Sequence, residues 1–266
     1  MPRDITAFSN PTIKLARSLR DKKHRRREGL FLVEGLRILS EAQDSGRLPE
    51  QIFFAAESEA HARVDGLIAA VEAAGGDAVR TTPALISKLS GKDNPQSVVG
   101  VFREWDVSLE AIERDTAPIW IVAQALRDPG NLGTILRTGD AVGAGGLILI
   151  DDCTDPFSVE AVRASMGAIF TQRIAMARWD DFLPWIRGGA GQLIGTSLEG
   201  AIDYQEPRYE RPAFLLVGNE SAGLPADYAA QCDITVKIPM MGRADSLNAA
   251  MATAVMAYEL LNQFRR

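Results

Sequence analysis

Arg137 and Glu220 are the charged side chains best placed to do chemistry in this chain. Each lies in a glycine-containing segment with asparagine close by. The first segment is Asn131-Leu132-Gly133-Thr134-Ile135-Leu136-Arg137. The second is Gly218-Asn219-Glu220-Ser221-Ala222-Gly223-Leu224. A third runs Ile238-Pro239-Met240-Met241-Gly242 and on to Ser246-Leu247-Asn248. Each follows an apolar, strand-like run and leads toward or into a helix-like one. In an α/β sheet such loops gather at one edge, where ligands bind. One site assembled from three distant stretches is therefore expected. Glycines at 218, 223 and 242 permit tight turns and close backbone approach. Exposed backbone N–H and C=O groups suit an adenine edge, which needs both donors and acceptors.

Several chemistries are excluded. A dinucleotide fingerprint needs GxGxxG straight after a strand, and a P-loop needs GxxxxGK[ST]; neither occurs. There is no GxSxG nucleophile elbow, and His24 and His61 lie outside the loop-rich half. The carboxylates lack ligand-like clustering with His or Cys, so no metal is expected. What remains is a site that binds through its backbone and acts through Arg137, Glu220, Asn131 and Asn248.

The elements that must position these residues follow from apolar periodicity. Residues 9–28 read as a helix and polar turn, with Ser9 or Asn10 as N-cap and Pro11 at the first helical position. Strands are expected at Leu30–Val33, Ile52–Ala55 and Val98–Phe102. Helices are expected at Gly35–Asp44, Ser58–Ala74 and Thr82–Leu89. Residues 103–117 are polar and read as a connection. Beyond them, strands at Ile119–Ala123, Leu147–Ile150, Leu193–Thr196, Phe214–Val217 and Ile234–Ile238 alternate with helices. Asn131 is read as the cap of a helix ending at Gly143. Ser246 is read as the cap of a final helix with Leu247, Ala250, Met251, Ala254, Tyr258 and Leu261 facing inward. Continuous apolar strands separated by helices predict a buried, mostly parallel sheet.

The net charge of −6 over 266 residues is unevenly spread. Residues 1–37 hold ten Lys/Arg against four Asp/Glu, a net of +6, which leaves −12 on the rest. A basic arm on an acidic body is a polyanion-binding layout, although a solvated basic helix face would look the same. No apolar run approaches the ~18 residues a bilayer span needs. Cys153 and Cys232 form no CxxC pair and read as reduced thiols in a cytoplasmic protein.

The three segments resemble, in order and spacing, the signature motifs of the SpoU/TrmH branch of the SPOUT methyltransferases. Asn131-x-Gly133-x-x-x-Arg137 resembles the first, Gly218-Asn219-Glu220-x-x-Gly223-Leu224 the second, and Ile238-Pro239-Met240-x-Gly242-x-x-x-Ser246-Leu247-Asn248 the third. Arg163-Ala164-Ser165-Met166-Gly167 also resembles a family segment. Phe31-x-Val33-Glu34-Gly35 is similar to the substrate-binding domain that often precedes this catalytic domain. The third motif departs mildly where the helix continues Asn248-Ala249-Ala250-Met251, a stretch in which Val and Ser are commoner in the family.

The resemblance implies an α/β chain with an RNA substrate-binding domain over 1–105, a linker over 106–117, and a SPOUT catalytic domain over 118–266. It also implies a parallel sheet with a trefoil knot, a topology that ordinary connection rules would exclude. The implied activity is S-adenosylmethionine-dependent methylation of a ribose 2′-hydroxyl by a homodimer. The substrate is rRNA in preference to tRNA, because the N-terminal domain resembles those of rRNA-directed relatives. A non-catalytic RNA-binding or ribosome-assembly protein is the alternative of a different class. The implied catalytic residues are Arg137, Asn131, Glu220, Ser246 and Asn248. The implied cofactor contacts are Thr196, Ser197, Gly218, Asn219, Ile238, Met240 and Leu247. Lys22, Lys23, Arg25, Arg26 and Arg27 become the expected RNA-phosphate contacts.

Overall fold

The computed structural model describes residues 2–59, 61–91, 97–197 and 202–266. The chain forms two compact units, and the second is interrupted by a piece of the first. One comprises 1–105 with 155–170, and the other 106–154 with 171–266.

The first unit is built on a five-stranded mixed sheet. Its strands are β1 (Arg3–Asp4), β2 (Leu30–Glu34), β3 (Gln51–Ala55), β4 (Asp77–Thr81) and β5 (Val98–Arg103), in the order β1-β4-β3-β5-β2. β1, β4 and β3 run parallel, and β5 is antiparallel to both β3 and β2. Sequence periodicity misses β4. Its run Asp-Ala-Val-Arg-Thr hides a buried strand behind two charged residues, and each charge is neutralised across the fold. Asp77 pairs with Arg3, and Arg80 pairs with Glu59 and Asp4.

The stretch 9–28 divides into two helices, α1 (Pro11–Ser18) and α2 (Lys22–Glu28). The Asn10 side chain caps α1. Asp21 caps α2, ending any continuous helix at a fresh N-terminus. The other helices of this unit are α3 (Leu36–Asp44), α4 (Ala62–Ala73), α5 (Pro83–Ser90) and, returning from later in the chain, α7 (Val159–Ser165). α7 packs on β2. Its flanks supply Phe157 and Phe170 to an aromatic cluster with Phe31, Phe102 and Trp105.

In the second unit seven strands are all parallel, in the order β10-β12-β9-β11-β6-β7-β8. They are β6 (Ile119–Gln124), β7 (Gly146–Ile150), β8 (Arg173–Ala177), β9 (Gln192–Thr196), β10 (Ile202–Asp203), β11 (Ala213–Val217) and β12 (Ile234–Lys237). β6, β7 and β11 are buried at every position, as strands covered on both faces must be. Helices α6 (Pro129–Val142), α8 (Trp179–Arg187), α9 (Ala226–Ala229) and α10 (Ala249–Phe264) complete the unit, and α10 packs on α6, β11 and β6.

The final helix corrects the expected inward stripe. Ala249, Ala250, Thr253, Met256, Ala257 and Leu260 face the core, whereas Met251 is 63% and Tyr258 52% exposed. α10 thus carries two apolar faces, and one chain covers only one of them. Among the described residues, no helix is long and apolar enough to cross a membrane.

Candidate active site

The strand order explains why distant segments meet. β12, β9, β11 and β6 are consecutive neighbours in a parallel sheet, so their C-terminal ends lie side by side. The first glycine segment follows β6, the second follows β11 and the third follows β12, while Thr196 and Ser197 end β9.

Two cavities open there. The first, about 580 Å³, is lined by Thr196, Ser197, Gly218, Asn219, Ile238, Met240, Ser246 and Leu247, among others. All seven expected cofactor contacts are therefore on its wall. Val217, Leu224 and Val236 supply apolar surface. Gly218 is sterically required: a Cβ there would lie 2.3 Å from the Gly223 carbonyl carbon and from the Leu224 nitrogen. Asn219 and Gly223 exchange backbone hydrogen bonds of 3.1 and 2.9 Å, closing the turn, and Gly223 takes the left-handed φ of +69°.

The second cavity, about 520 Å³, is lined by Arg127, Asp128, Asn131, Asn219, Glu220, Ser221 and Asn248. Glu220 is its hub. Its Oε1 accepts from the Asp128 N–H and from Asn131 Nδ2, both at 3.1 Å. Its Oε2 accepts from the Arg127 N–H at 3.3 Å and from Asn219 Nδ2 at 3.4 Å. Burial alone would push the Glu220 carboxyl up. Hydrogen bonds from the loop's own backbone, Asn131, Asp128 and Arg127 outweigh it and hold the group below its ordinary value. Glu220 is thus an ionised acceptor at neutral pH. Asn131 Oδ1 accepts from Asn248 Nδ2 at 3.0 Å, so one chain of hydrogen bonds joins all three segments.

Two expected caps move. Asp128, not Asn131, caps α6, with its Oδ1 2.6 Å from the Asn131 N–H. Asn131 therefore sits inside the first turn, and its side chain is free to bridge Glu220 and Asn248. Asn248, not Ser246, caps α10 through the N–H groups of Ala250 and Met251. Ser246 instead lines the first cavity.

Arg137 stands apart. It is exposed on α6 and lines neither cavity. Six residues beyond Asn131, it lies roughly 9 Å further along the helix axis. It pairs with no carboxylate among the described residues, and the neighbouring Asp140 accepts from Thr171 Oγ1 instead. No three His, Cys, Asp or Glu gather as a metal set among the described residues.

The basic arm also needs correction at one position. Lys22, Lys23, Arg26 and Arg27 are exposed on α2, but Arg25 is only 3% exposed. Its guanidinium pairs with Asp155 at 2.6 Å and donates to the Leu19 and Arg20 carbonyls, closing the end of α1. Arg25 is a structural residue, because it is buried and four of its five guanidinium N–H groups are committed to protein acceptors. Arg25→Ala should destabilise the first unit by about 3–5 kcal/mol, since it leaves Asp155 unpaired in a poorly solvated place. Hydrogen exchange at the amides of α1, α2 and α7 would measure it. Wild-type protection there would refute the role.

Fold and site together define an α/β enzyme whose ligand cavity is built largely from backbone at the ends of four adjacent parallel strands. Residues 118–258 match the SpoU rRNA methylase family, and residues 10–100 match the MRM3-like substrate-binding domain. The chain belongs to the SpoU rRNA methylase family. It is 32% identical to the 23S rRNA (uridine(2479)-2'-O)-methyltransferase of Streptomyces viridochromogenes, over 92% of this chain and 87% of that one. It is 27% identical to the 23S rRNA (guanosine(2553)-2'-O)-methyltransferase of Bacillus subtilis, over 97% and 99%. Its fold superposes on the AdoMet-bound rRNA methyltransferase of Sinorhizobium meliloti with a TM-score of 0.90 and 39% identity, covering 98% of this chain and 97% of that one.

Arg127 and Ser221 are cavity residues that the sequence reading passes over. Arg127 lies outside the recognised motif and Ser221 at one of its variable positions, so only spatial proximity reveals them.

Proposed function

We propose that this protein transfers the methyl group of S-adenosylmethionine to a ribose 2′-hydroxyl in rRNA. The observation that carries the reading is a hydrogen-bonded network, in which Asn131 joins Asp128, Glu220 and Asn248 and Glu220 joins Asn219, beside a glycine-walled cavity large enough for a nucleoside cofactor. The cavity residues fit S-adenosylmethionine. The apolar wall of Val217, Leu224, Val236 and Ile238 suits an adenine face. The backbone of Met240 and Leu247, which makes no hydrogen bond among the described residues, suits its edge. When bound, S-adenosylmethionine would supply an electrophilic sulfonium methyl to the ribose O2′, with the thioether as leaving group and the hydroxyl proton lost to water.

The chain's own residues have three tasks. Gly218 and Gly223 let the loop wall approach closely. Glu220, Asn131 and Asn248 hold the loops in one register, so that nucleophile and methyl donor meet in line; such positioning contributes about 7–11 kcal/mol. Arg137 orients the hydroxyl and stabilises its developing negative charge. A guanidinium is a poor general base, so its contribution is electrostatic.

The working unit is a homodimer, with Arg137 completing the site of the partner protomer. Arg137's absence from the cavities of its own chain supports this, as does the exposed apolar pair Met251 and Tyr258, seven residues apart on one face of α10. Tyr258→Glu should shift the protein to monomer in sedimentation and remove activity together. A monomeric wild type would overturn the dimer. A trefoil threading is inferred from family membership alone. Exposed Lys22, Lys23, Arg26 and Arg27 bind RNA phosphates, and the enzyme works in the cytoplasm on rRNA. Gly218→Ala should weaken cofactor binding by about tenfold or more by calorimetry, because the atoms it meets are backbone and cannot rotate away. Wild-type affinity would contradict the proposed cavity.

The primary test is tritiated methyl transfer to unmodified rRNA and tRNA. Label in rRNA that survives as an alkali-resistant dinucleotide supports the reading. Label in tRNA alone would replace the substrate. Absence of cofactor binding would favour a non-catalytic RNA-binding protein.

A further inference from the structure

Arg127 and Ser221 are left over when the hydrogen bonds of the second cavity are accounted for. Every other polar side chain on its wall has a protein partner. Asp128 caps α6, Asn131 bridges Glu220 and Asn248, Asn219 binds the Ala125 carbonyl at 2.7 Å, and Glu220 accepts four donors. Among the described residues, no hydrogen bond or ion pair engages the Arg127 guanidinium or the Ser221 hydroxyl. Both are nevertheless anchored at the backbone. The Arg127 N–H donates to Glu220 Oε2 at 3.3 Å, and the Ser221 N–H donates to Asn219 Oδ1 at 2.9 Å. The cavity therefore presents two fixed backbones with uncommitted polar tips, a cation and a hydroxyl.

The two carboxylates on the same wall remain charged, but protein donors engage their oxygens and neither pairs with Arg127. Glu220 is covered by four donors, and the Asp128 Oδ1 by the Asn131 N–H. Among the described residues, Arg127 is the only cation lining the cavity. Asn219, Glu220 and Ser221 line the first cavity as well, so the two spaces adjoin at the Ser221 loop. A guanidinium and a hydroxyl lining one cavity suit phosphate oxygens, which arginine binds bidentately and lysine only as a point charge.

We propose that Arg127 and Ser221 clamp a phosphodiester of the RNA strand next to the ribose being methylated. The inference rests on the methyltransferase reading above and assigns substrate contacts that the three motifs do not contain. The clamp sets the position of the strand in the second cavity, and its Arg127 arm lies outside the lining of the first.

The test compares wild type with Arg127→Ala, Arg127→Lys and Ser221→Ala. The probe is unmodified 23S rRNA transcript, free and assembled into subunits. Binding is followed against KCl concentration, together with methyl-transfer kinetics and S-adenosylmethionine affinity. Arg127→Ala should raise Kd and KM for RNA by about 10- to 30-fold, the effect of losing a charge-assisted contact. It should also flatten the log–log salt dependence by roughly 0.7, one single-strand phosphate. Arg127→Lys should keep the salt slope while recovering only part of the affinity. Ser221→Ala should raise KM by a few fold with no change in slope. Cofactor affinity unchanged in the two Arg127 variants, whose position lines the second cavity and not the first, shows that the loop is intact. A wild type that methylates rRNA while Arg127→Ala does so with unchanged KM and slope would overturn the clamp alone. A wild type that neither binds nor methylates rRNA would overturn the methyltransferase reading and the clamp with it.

Discussion

Arg137→Ala should lower kcat by about 10²–10³-fold while leaving S-adenosylmethionine affinity at the wild-type value, the size of effect seen when a single donor to a developing oxyanion is removed. The physical reason is the exposure of Arg137 on α6 without a carboxylate partner among the described residues. A guanidinium engaged in a salt bridge would have little charge to offer, whereas this one is available to a substrate. Because it lines neither cavity of its own chain, it is expected to act on the partner's site. Mixing Arg137→Ala with Glu220→Ala protomers should then restore about a quarter of wild-type activity. Half the dimers are mixed, and each mixed dimer has one intact site. No recovery on mixing would place Arg137 in its own chain's site. Retention of the wild-type rate by Arg137→Ala would remove it from the mechanism.

Glu220→Ala should reduce kcat/KM for RNA by about 100-fold or more, because four donors lose their acceptor at once: the Arg127 and Asp128 N–H groups and the Asn131 and Asn219 amides. Glu220→Gln should be nearly as damaging. Its amide nitrogen would face donors, so an isosteric change reverses the hydrogen-bond polarity on one side. A surface glutamate would tolerate that substitution, and a silent Glu220→Gln would therefore refute the hub role.

The pH dependence follows from the same contacts. The folded-state pKa of Glu220 lies below its ordinary value. Its contribution is thus complete above the usual carboxylate range of about 4.3 and fades only as pH falls through the lowered folded value. Rate profiles above about pH 6 should show no inflection belonging to Glu220. An inflection there that vanishes in Glu220→Gln would contradict the ionised assignment.

The sequence by itself determined five strands of the second sheet, β6, β7, β9, β11 and β12, because segments such as Ile119–Ala123 and Phe214–Val217 are apolar at every position and have no stable solvent-facing alternative. It also determined which segments carry chemistry, since residue type, order and spacing of the three motifs are local properties. It did not reveal β4, whose charges are neutralised by Arg3, Glu59 and Asp4 from elsewhere in the chain. Neither did it separate Arg25 from its basic neighbours: one guanidinium is buried against Asp155, 130 residues away, and no run of Lys and Arg shows which member turns inward.

Tertiary structure alone decided the caps and the cavities. Asn131 and Asn248 both read as competent local hydrogen-bonders. Asp128 is the residue that completes the first turn of α6, which releases Asn131 to meet Glu220 and Asn248, while Asn248 itself caps α10. The adjacency of β12, β9, β11 and β6 is set by crossovers that pair strands far apart in sequence. Local periodicity specifies a strand but not its neighbour, so the meeting of three loops in one site belongs to the fold.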